Sequence, residues 1–318
     1  MPNTVVRVAE VVEEAPGIRA LRLVRADGLP FDPHPAGAHV DVTGPTGILR
    51  QYSLCGRPDD TSSLLIAVKR EPDSRGGSEA LHTVAENDKL EVGETRNLLS
   101  LAPDAERHVL IAGGIGITPL LSLAYQLHAD GAEFELHYFA RSRESAAFVS
   151  LLEEQAEFRD RVLLYFGVPR DEQPAVLTEV ASGLGSAGHV YTCGPEGFME
   201  QVTGVFAPVV GETQVHVEHF TAAEVDTSGD QPFTVELDTG EVFEIPADRS
   251  ILSVLTDNGI EVFKSCEEGI CGSCVSGVLE GTPEHRDQCL SASDKASGDQ
   301  MALCVSRARS EKLVIELY

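Results

Sequence analysis

Long hydrophobic runs are missing from this chain of 318 residues. No stretch of about 18 apolar residues occurs, so no membrane-spanning helix is expected. The opening Met-Pro-Asn-Thr-Val-Val-Arg-Val has neither the basic region nor the apolar region of a secretory signal. We therefore expect a cytoplasmic protein with no membrane partner. Positive charge is scarce: 24 Lys and Arg stand against 51 Asp and Glu, a formal net charge of −27. Nucleic acid, a polyanion, is excluded as an expected partner. A disulfide framework is not expected either, because the seven cysteines are odd in number and no export signal accompanies them. Internal repeats are absent.

Four of those cysteines follow a pattern. Cys266-x4-Cys271-x2-Cys274 is followed by Cys304 after 29 intervening residues. That is the ligand spacing of a plant-type 2Fe-2S cluster, which needs four thiolates, two per iron. Gly269 and Gly272 let the loop turn tightly and bring amide N–H groups to the sulfurs. Cys304 lies in the apolar run Met-Ala-Leu-Cys-Val, which reads as a strand that closes the cage. A structural zinc site is the alternative, but zinc favours paired C-x2-4-C knuckles. Cys289 falls outside the pattern and reads as a bystander.

Three blocks are expected. Residues 1–103 alternate short apolar strands with Gly/Pro turns: Val5–Val8, Ile18–Leu23, His39–Val42 and Leu64–Val68. This suggests an antiparallel β-barrel. Residues 104–225 alternate strands and helices: strands at His108–Ala112, Phe134–Phe139, Val162–Tyr165 and His189–Cys193, helices at Pro119–His128 and Ala146–Glu157. That order gives an α/β doubly wound parallel sheet. Residues 222–231, small, polar and acidic, read as a linker. Residues 231–318 hold the cysteines, a hairpin from Phe233–Leu237 and Glu241–Ile245, and a helix over Ser250–Asn258 with Ser250 as N-cap. This block carries 16 acidic residues against 7 basic ones, with Glu267 and Glu268 inside the cysteine loop. An acidic docking surface for a basic redox protein is the sharper reading of the charge; solubility is the plainer one.

Two sites for phosphate-bearing cofactors are legible. Ala112-Gly-Gly-Ile-Gly-Ile-Thr-Pro119 ends a strand and opens a helix. Gly113, Gly114 and Gly116 remove side chains where a pyrophosphate would press on the backbone. Cys193-Gly194-Pro195 ends a second strand at the same carboxyl edge, where open sheets bind ligands. A glycine-rich packing turn is the plainer alternative. In the first block, Arg50-Gln-Tyr-Ser-Leu54 offers an arginine for a phosphate, Tyr52 to pack on a ring system and Ser53 to hydrogen-bond a flavin N5; an ordinary amphipathic strand fits these five residues equally well. Lys69, Arg70 and Arg75-Gly-Gly-Ser78 make a second phosphate-binding candidate.

Taken together, these segments resemble the phthalate dioxygenase reductase and vanillate demethylase reductase family over essentially the whole length. Ile66-Ala67-Val-Lys-Arg70, His285-Arg-Asp287 and Cys304-Val-Ser-Arg307 join the segments above in carrying the likeness. The resemblance implies a flavin barrel, a pyridine-nucleotide domain and a C-terminal β-grasp ferredoxin. It implies FMN rather than FAD, held by the Arg50–Ser53 segment, Ala67, Lys69 and the Gly76-Gly77-Ser78 turn, with Phe220 near the ring. It also implies that Thr118 and Cys193 line a nicotinamide pocket with Glu218 close by. From the residues alone, Thr118 is equally a helix cap, Cys193 a buried small hydrophobe and Phe220 a core aromatic.

The expected reaction carries electrons from NAD(P)H through flavin and cluster, one at a time, to a separate oxygenase component. This is either a Rieske-type aromatic-ring hydroxylase or demethylase, or a haem monooxygenase. No side-chain acid, base or nucleophile is required for hydride transfer. Arg141, Ser142 and Arg143 follow the second strand of the nucleotide block, where a 2′-phosphate would sit; the family resemblance favours NADH and these residues leave NADPH open. A monomer is expected. The alternatives are an FAD-containing reductase of related plan and a cluster-binding redox sensor. Tyr318 reads as fold packing.

Overall fold

The computed structural model describes residues 3–71, 76–222 and 225–317. Arg75, Ala223, Glu224 and Tyr318, which bear on the readings above, lie outside them. The chain forms two compact units, one ending at Glu218 and the other beginning at His219.

The first unit contains two sheets. Strands β1 (Thr4–Ala15), β2 (Ile18–Arg25), β3 (Ala38–Thr43), β4 (Leu49–Ser53), β5 (Leu64–Lys69) and β6 (Lys89–Asn97) pair antiparallel in the order β4-β3-β6-β1-β2-β5. A bridge between Leu54 and Ile66 joins the two edges, so the sheet closes into a barrel. Its alternating inward residues, Val6, Val8, Leu21, Leu23, Val40, Val42 and Ile66 among them, fill the interior. A five-residue helix α1 (Gly77–Leu81) follows β5.

The second sheet is fully parallel: β7 (Arg107–Gly113), α2 (Ile117–Ala129), β8 (Phe134–Ala140), β9 (Val162–Phe166), α3 (Gln173–Ser182), β10 (Gly188–Cys193), α4 (Glu196–Val210) and β11 (Val215–Glu218), with strand order β11-β10-β7-β8-β9. The order reverses beside β7, so the topological switch lies where β7 and β10 end. β7 and β8 are continuous apolar runs because helices cover both faces. One core cluster contains Ala15, Ile18, Cys55 and Ala67 from the barrel together with Leu120, Leu121 and Tyr138 from the parallel sheet. Two blocks with separate sheets thus share an interior.

The expected helix over Ala146–Glu157 is present only in its middle, residues 149–155, and is irregular at both ends. Phe148 adopts a left-handed φ of 62° and is buried, and its amide donates to the Glu14 carboxylate at 3.0 Å. A single π-helical turn, Leu151–Gln155, follows. Burying Phe148 and bonding it to the barrel outweighs the continuity of a local helix.

The second unit is a mixed sheet, β13-β12-β18-β14-β16, built from β12 (Phe233–Leu237), β13 (Val242–Ile245), β14 (Val275–Glu280), β16 (Gln300–Ala302) and β18 (Lys312–Glu316). β12 and β18 run parallel, and α5 (Ile251–Asp257) packs its buried face on the sheet. The Ser250 hydroxyl accepts from the Ser253 amide at 3.1 Å, the N-cap expected from sequence. A small ladder, β15 (Pro283–Glu284) with β17 (Arg307–Ala308), and a short helix α6 (Ala292–Ser297) complete it.

The later part of the expected linker is not free chain. The Asp230 carboxylate accepts two bonds from Arg286 at 3.0 and 2.5 Å, and lies 3.4 Å from Arg307. Arg307 also donates to the carbonyls of Gln231, Pro246 and Arg249 and lies over the Phe233 ring at 5.0 Å. The charged groups are buried and satisfied together.

Candidate functional site

The cysteine loop occupies one end of the second unit. Cys266, Cys271, Cys274 and Cys304 are all buried. Hydrogen-bonding contacts link Cys266 to Cys271 and to Cys304, and Cys304 to Cys274. The thiols therefore run in the spatial order Cys271, Cys266, Cys304, Cys274. Cys304 sits in the turn after β16 rather than in the strand, a correction to the reading of Met-Ala-Leu-Cys-Val as one strand. The turn is anchored by the Leu303 amide, which donates to the Cys274 carbonyl at 3.1 Å.

The loop is shaped around sulfur. The Glu268 amide donates to Cys266 Sγ at 3.3 Å, and the Ser273 amide points to Cys271 Sγ at 3.5 Å. Hydrogen bonds of this kind stabilise thiolate charge. Bonds from Cys271 and Cys304 hold the Cys266 thiol well below the usual range, while Cys304 is pushed up in return. Thiolates crowded this closely call for a cationic centre. An all-sulfur set in one contact chain fits a binuclear cluster, and the Cys-x4-Cys-x2-Cys spacing makes zinc the poorer match. Cys289 lies apart from the contact chain, its thiol directed at Asp287 Oδ2 at 3.6 Å.

In the first unit, the carboxyl ends of β7 and β10 meet as the sequence implied. The turn after β7 packs on the turn after β10 backbone to backbone. A Cβ on Gly116 would lie 2.1 Å from the Cys193 carbonyl oxygen, and one on Gly194 would lie 2.9 Å from Gly113 Cα. Gly113 and Gly116 are buried in this contact, Gly114 alone is partly exposed with open space at its Cβ position, and Pro195 precedes α4 beside them. Thr118 is buried in the first turn of α2, followed by Pro119. Its hydroxyl donates to the Ile115 carbonyl at 3.0 Å and does not cap the helix.

The barrel side brings Arg50 to the glycine turn. A Cβ on Gly77 would lie 2.9 Å from Arg50 Cγ, so the glycine permits the approach of that side chain. Gly76 takes a left-handed φ of 91° just before α1, and the Ser78 hydroxyl accepts from the Glu71 amide at 3.1 Å. Tyr52 is half-buried, and desolvation pushes its phenol up to about 12. Ala67 is buried in β5, where it also serves the shared core. Lys69 is exposed and engaged by Glu71. Phe220, at the start of the second unit, is exposed.

A polar layer lies at the end of β11. Ser53 and His39 are register partners across β4 and β3, and Cys193 pairs with Glu218 across β10 and β11. Both sets are buried. His39 Nδ1 lies 3.7 Å from Glu218 Oε1, spanning barrel and parallel sheet. His39 carries no motif signal; only the fold brings it to Glu218. Burial raises the Glu218 carboxyl to about 8 and, with Glu218 beside it, pushes the Cys193 thiol well above its normal value. Glu218 Oε2 and Ser53 Oγ have no hydrogen-bond partner among the described residues, which is uncommon for buried polar groups.

The raised carboxyl has a consequence for stability. Between about pH 4.5 and 8 the folded protein keeps a proton on Glu218 that the unfolded chain has lost. Stability therefore falls with rising pH over that window and levels off above it. Glu218→Gln is expected to flatten the slope and to be more stable than the parent above pH 8 by up to a few kcal/mol. Urea denaturation at a series of pH values would show parallel profiles if the group is not buried in this way.

Comparison with known proteins agrees with the geometry. Residues 235–309 match the 2Fe-2S iron-sulfur cluster binding domain, and residues 110–204 match the oxidoreductase NAD-binding domain. Vanillate O-demethylase oxidoreductase from Pseudomonas putida is 46% identical over 314 residues, covering 96% of this chain and 97% of that protein. The structure of phthalate dioxygenase reductase, titled as modular for electron transfer from pyridine nucleotides to [2Fe-2S], is 38% identical. It matches 99% of this chain and 98% of its own, with a TM-score of 0.71. The chain belongs to this reductase family. The reductase is an NAD(P)H-dependent oxidoreductase that serves an oxygenase. It also aligns with an intact type IV self-sufficient cytochrome P450 monooxygenase, 36% identical with a TM-score of 0.89, spanning 98% of the reductase but 41% of that longer chain. Among the described residues, no helix of the reductase is long and apolar enough to cross a membrane.

Proposed function

We propose that the protein moves electrons from NADH to a separate oxygenase component, with FMN and a 2Fe-2S cluster between them. The observation that carries this is the gathering of four buried thiols under amide hydrogen bonds in the second unit, in a chain whose first unit carries a glycine-walled turn at the switch point of its parallel sheet. When bound, the flavin accepts hydride and returns its electrons singly, and the cluster passes each one on.

The residues then divide by task. Cys266, Cys271, Cys274 and Cys304 hold the cluster. Arg50 and the Gly76–Ser78 turn hold the single phosphate of FMN, with Lys69 drawn toward Glu71 at its margin. Tyr52, Ser53 and Ala67 line the ring, and Phe220 keeps its assignment as a ring-facing aromatic. Gly113, Gly114, Gly116, Pro119, Gly194 and Pro195 let the nucleotide pyrophosphate reach backbone. Thr118, Cys193 and Glu218 surround the nicotinamide. The working parts are residues 1–103 for flavin, 104–225 for nucleotide and 231–318 for the cluster, in a monomer. A basic electron-entry face on the oxygenase fits the acidic third part.

NADH is favoured at the adenosine end. Arg143, the strongest candidate for a 2′-phosphate, is taken up by a two-pronged ion pair with Glu153. The Ser142 amide is bonded to Ser145, which leaves the exposed Arg141 as the remaining cation of the segment. Glu153→Gln is expected to release Arg143 and lower the KM for NADPH by about threefold to fivefold, the scale of an exposed ion pair. NADH kinetics should hardly change. An unaltered NADPH KM would place the 2′-position elsewhere.

The whole reading is tested by three measurements on purified protein. Iron and sulfide should be present in equal amounts. Flavin released by heat should run with an FMN standard, not FAD. NADH should drive cytochrome c reduction. A colourless protein that passes no electrons would return the chain to the redox-sensor alternative.

A further inference from the structure

In the His285-Arg-Asp287 and Cys304-Val-Ser-Arg307 motifs, Arg286 and Arg307 hold Asp230, and Cys304 belongs to the chain of thiols. Asp287 does neither, yet it is a buried acid, 3% exposed, that ties together the segments bearing the thiols. Its Oδ1 accepts from the Ser306 hydroxyl at 3.2 Å, two residues beyond Cys304. Its Oδ2 accepts from the Leu290 amide at 2.9 Å. The adjoining Gln288 amide donates at 2.9 Å to the carbonyl of Gly269, inside the loop between Cys266 and Cys271. Packing there is close: a Cβ on Gly269 would lie 3.2 Å from Asp287 Cα.

We propose that Asp287 sets the reduction potential of the cluster, with Lys295 as its counterweight. This role rests on the cluster reading above. One electron entering the cage adds one negative charge, and no bond or proton need move with it. A fixed anion nearby opposes that charge and lowers the potential, whereas a fixed cation raises it.

The surroundings give Asp287 the larger share. Donors on both of its oxygens favour the carboxylate, and burial leaves its field weakly screened. Lys295, on α6, donates to the Asp287 carbonyl and holds its ammonium 3.7 Å from Oδ2. That side chain is 32% exposed, so water and salt weaken its field relative to that of the acid. Two further groups face the carboxylate. His285 Nδ1 lies 3.6 Å from Oδ1, and Cys289 Sγ lies 3.6 Å from Oδ2. Burial, with Asp287 next, pushes the Cys289 thiol far above its usual range, and Cys274 and Cys266 add to the push. Cys289 thus stands within electrostatic reach of the carboxylate and of two ligand sulfurs at once.

Asp287→Asn removes the charge and keeps the brace. The new carbonyl oxygen can accept from the Leu290 amide while the new amide donates to the Ser306 hydroxyl. The midpoint is read in the holoprotein, anaerobically and at one pH, from the electron paramagnetic resonance of the reduced cluster against dyes of known potential. Asp287→Asn is expected to raise the equilibrium constant for cluster reduction by about tenfold, about 59 mV for a one-electron couple. Lys295→Gln keeps a donor for the Asp287 carbonyl and should move the constant the other way, by about twofold to threefold. The double variant should fall between them. A merely structural role would loosen the cage in either variant and shift both midpoints in the same direction. That outcome overturns the proposal, as does an Asp287→Asn midpoint that stays or falls. Should Asp287→Asn fail to retain its iron, Lys295→Gln decides alone, and a midpoint unmoved or raised is the contrary result. A parent protein with no such resonance means that the cluster reading has failed, and the tuning role falls with it. A normal parent resonance beside unmoved variants removes the tuning role alone.

Discussion

Cys304→Ser is expected to reduce delivery of electrons to cytochrome c to background while NADH still bleaches the flavin. Cys304 lies between Cys266 and Cys274 and joins the loop to the turn after β16. Serine keeps the volume but offers a harder, far less acidic donor, and an iron–sulfur cluster is held by thiolate. Cluster loss should also destabilise the second unit, because Cys274 and Cys304 are members of its core and metal binding adds folding free energy. Two unfolding transitions should then appear in place of one, with the first unit unaffected. The decisive measurement is iron per chain set beside cytochrome c and flavin reduction. A variant that keeps its iron and its cytochrome c activity would show that the four thiols are not the cage. Cys289→Ser should behave like the parent, since its thiol turns to Asp287.

Gly116→Ala should cost about 3 kcal/mol or more, a very large effect for one methyl group. The backbone angle at Gly116 is ordinary, with φ −62°, so alanine meets no conformational barrier there. The penalty is steric. The new methyl would lie 2.1 Å from the Cys193 carbonyl oxygen and 2.7 Å from the Gly194 nitrogen, and backbone cannot swing aside as a side chain does. Either the first unit destabilises, or the β7 and β10 turns part and NADH affinity falls with them. Gly204→Ala is the matched control. It is exposed in α4 with nothing near its Cβ, and the change should stabilise by about 1 kcal/mol. Urea midpoints and the KM for NADH of the two variants give the comparison. Equal midpoints would mean that the two turns do not pack as described.

The sequence announces what depends on local pattern. Cysteine spacing names the cluster loop because four ligands must fall within reach of one cage. Alternation in β1 to β6 and continuous apolar runs in β7 and β8 distinguish a barrel from a covered parallel sheet. The glycine turn after β7 is legible because few other residues let a backbone come so close to a ligand. Tertiary partners are what the pattern omits. The segment after Ala146 has helical composition, yet its course is set by the bond from Phe148 to Glu14, 134 residues away in sequence. Residues 226–231 have a linker's composition, but Asp230 is claimed by two arginines whose motifs lie far downstream. His39 belongs to an unremarkable strand, and it meets Glu218 only because the start of β3 lies against the end of β11. In each case a residue acquires its task from a neighbour that the local sequence does not contain.

The interlocked turns at Gly116 and Gly194 also determine where this scaffold tolerates redesign. Because main chain rests on main chain, neither loop can lengthen or accept a bulkier residue without displacing the other. A programme to exchange one nicotinamide coenzyme for the other would find no latitude at that corner. The segment after β8, where Arg143 and Glu153 meet at the solvent, offers side chains that can be traded without moving backbone. Natural variation in coenzyme choice among related chains should therefore accumulate along that outer rim and leave the inner corner unchanged.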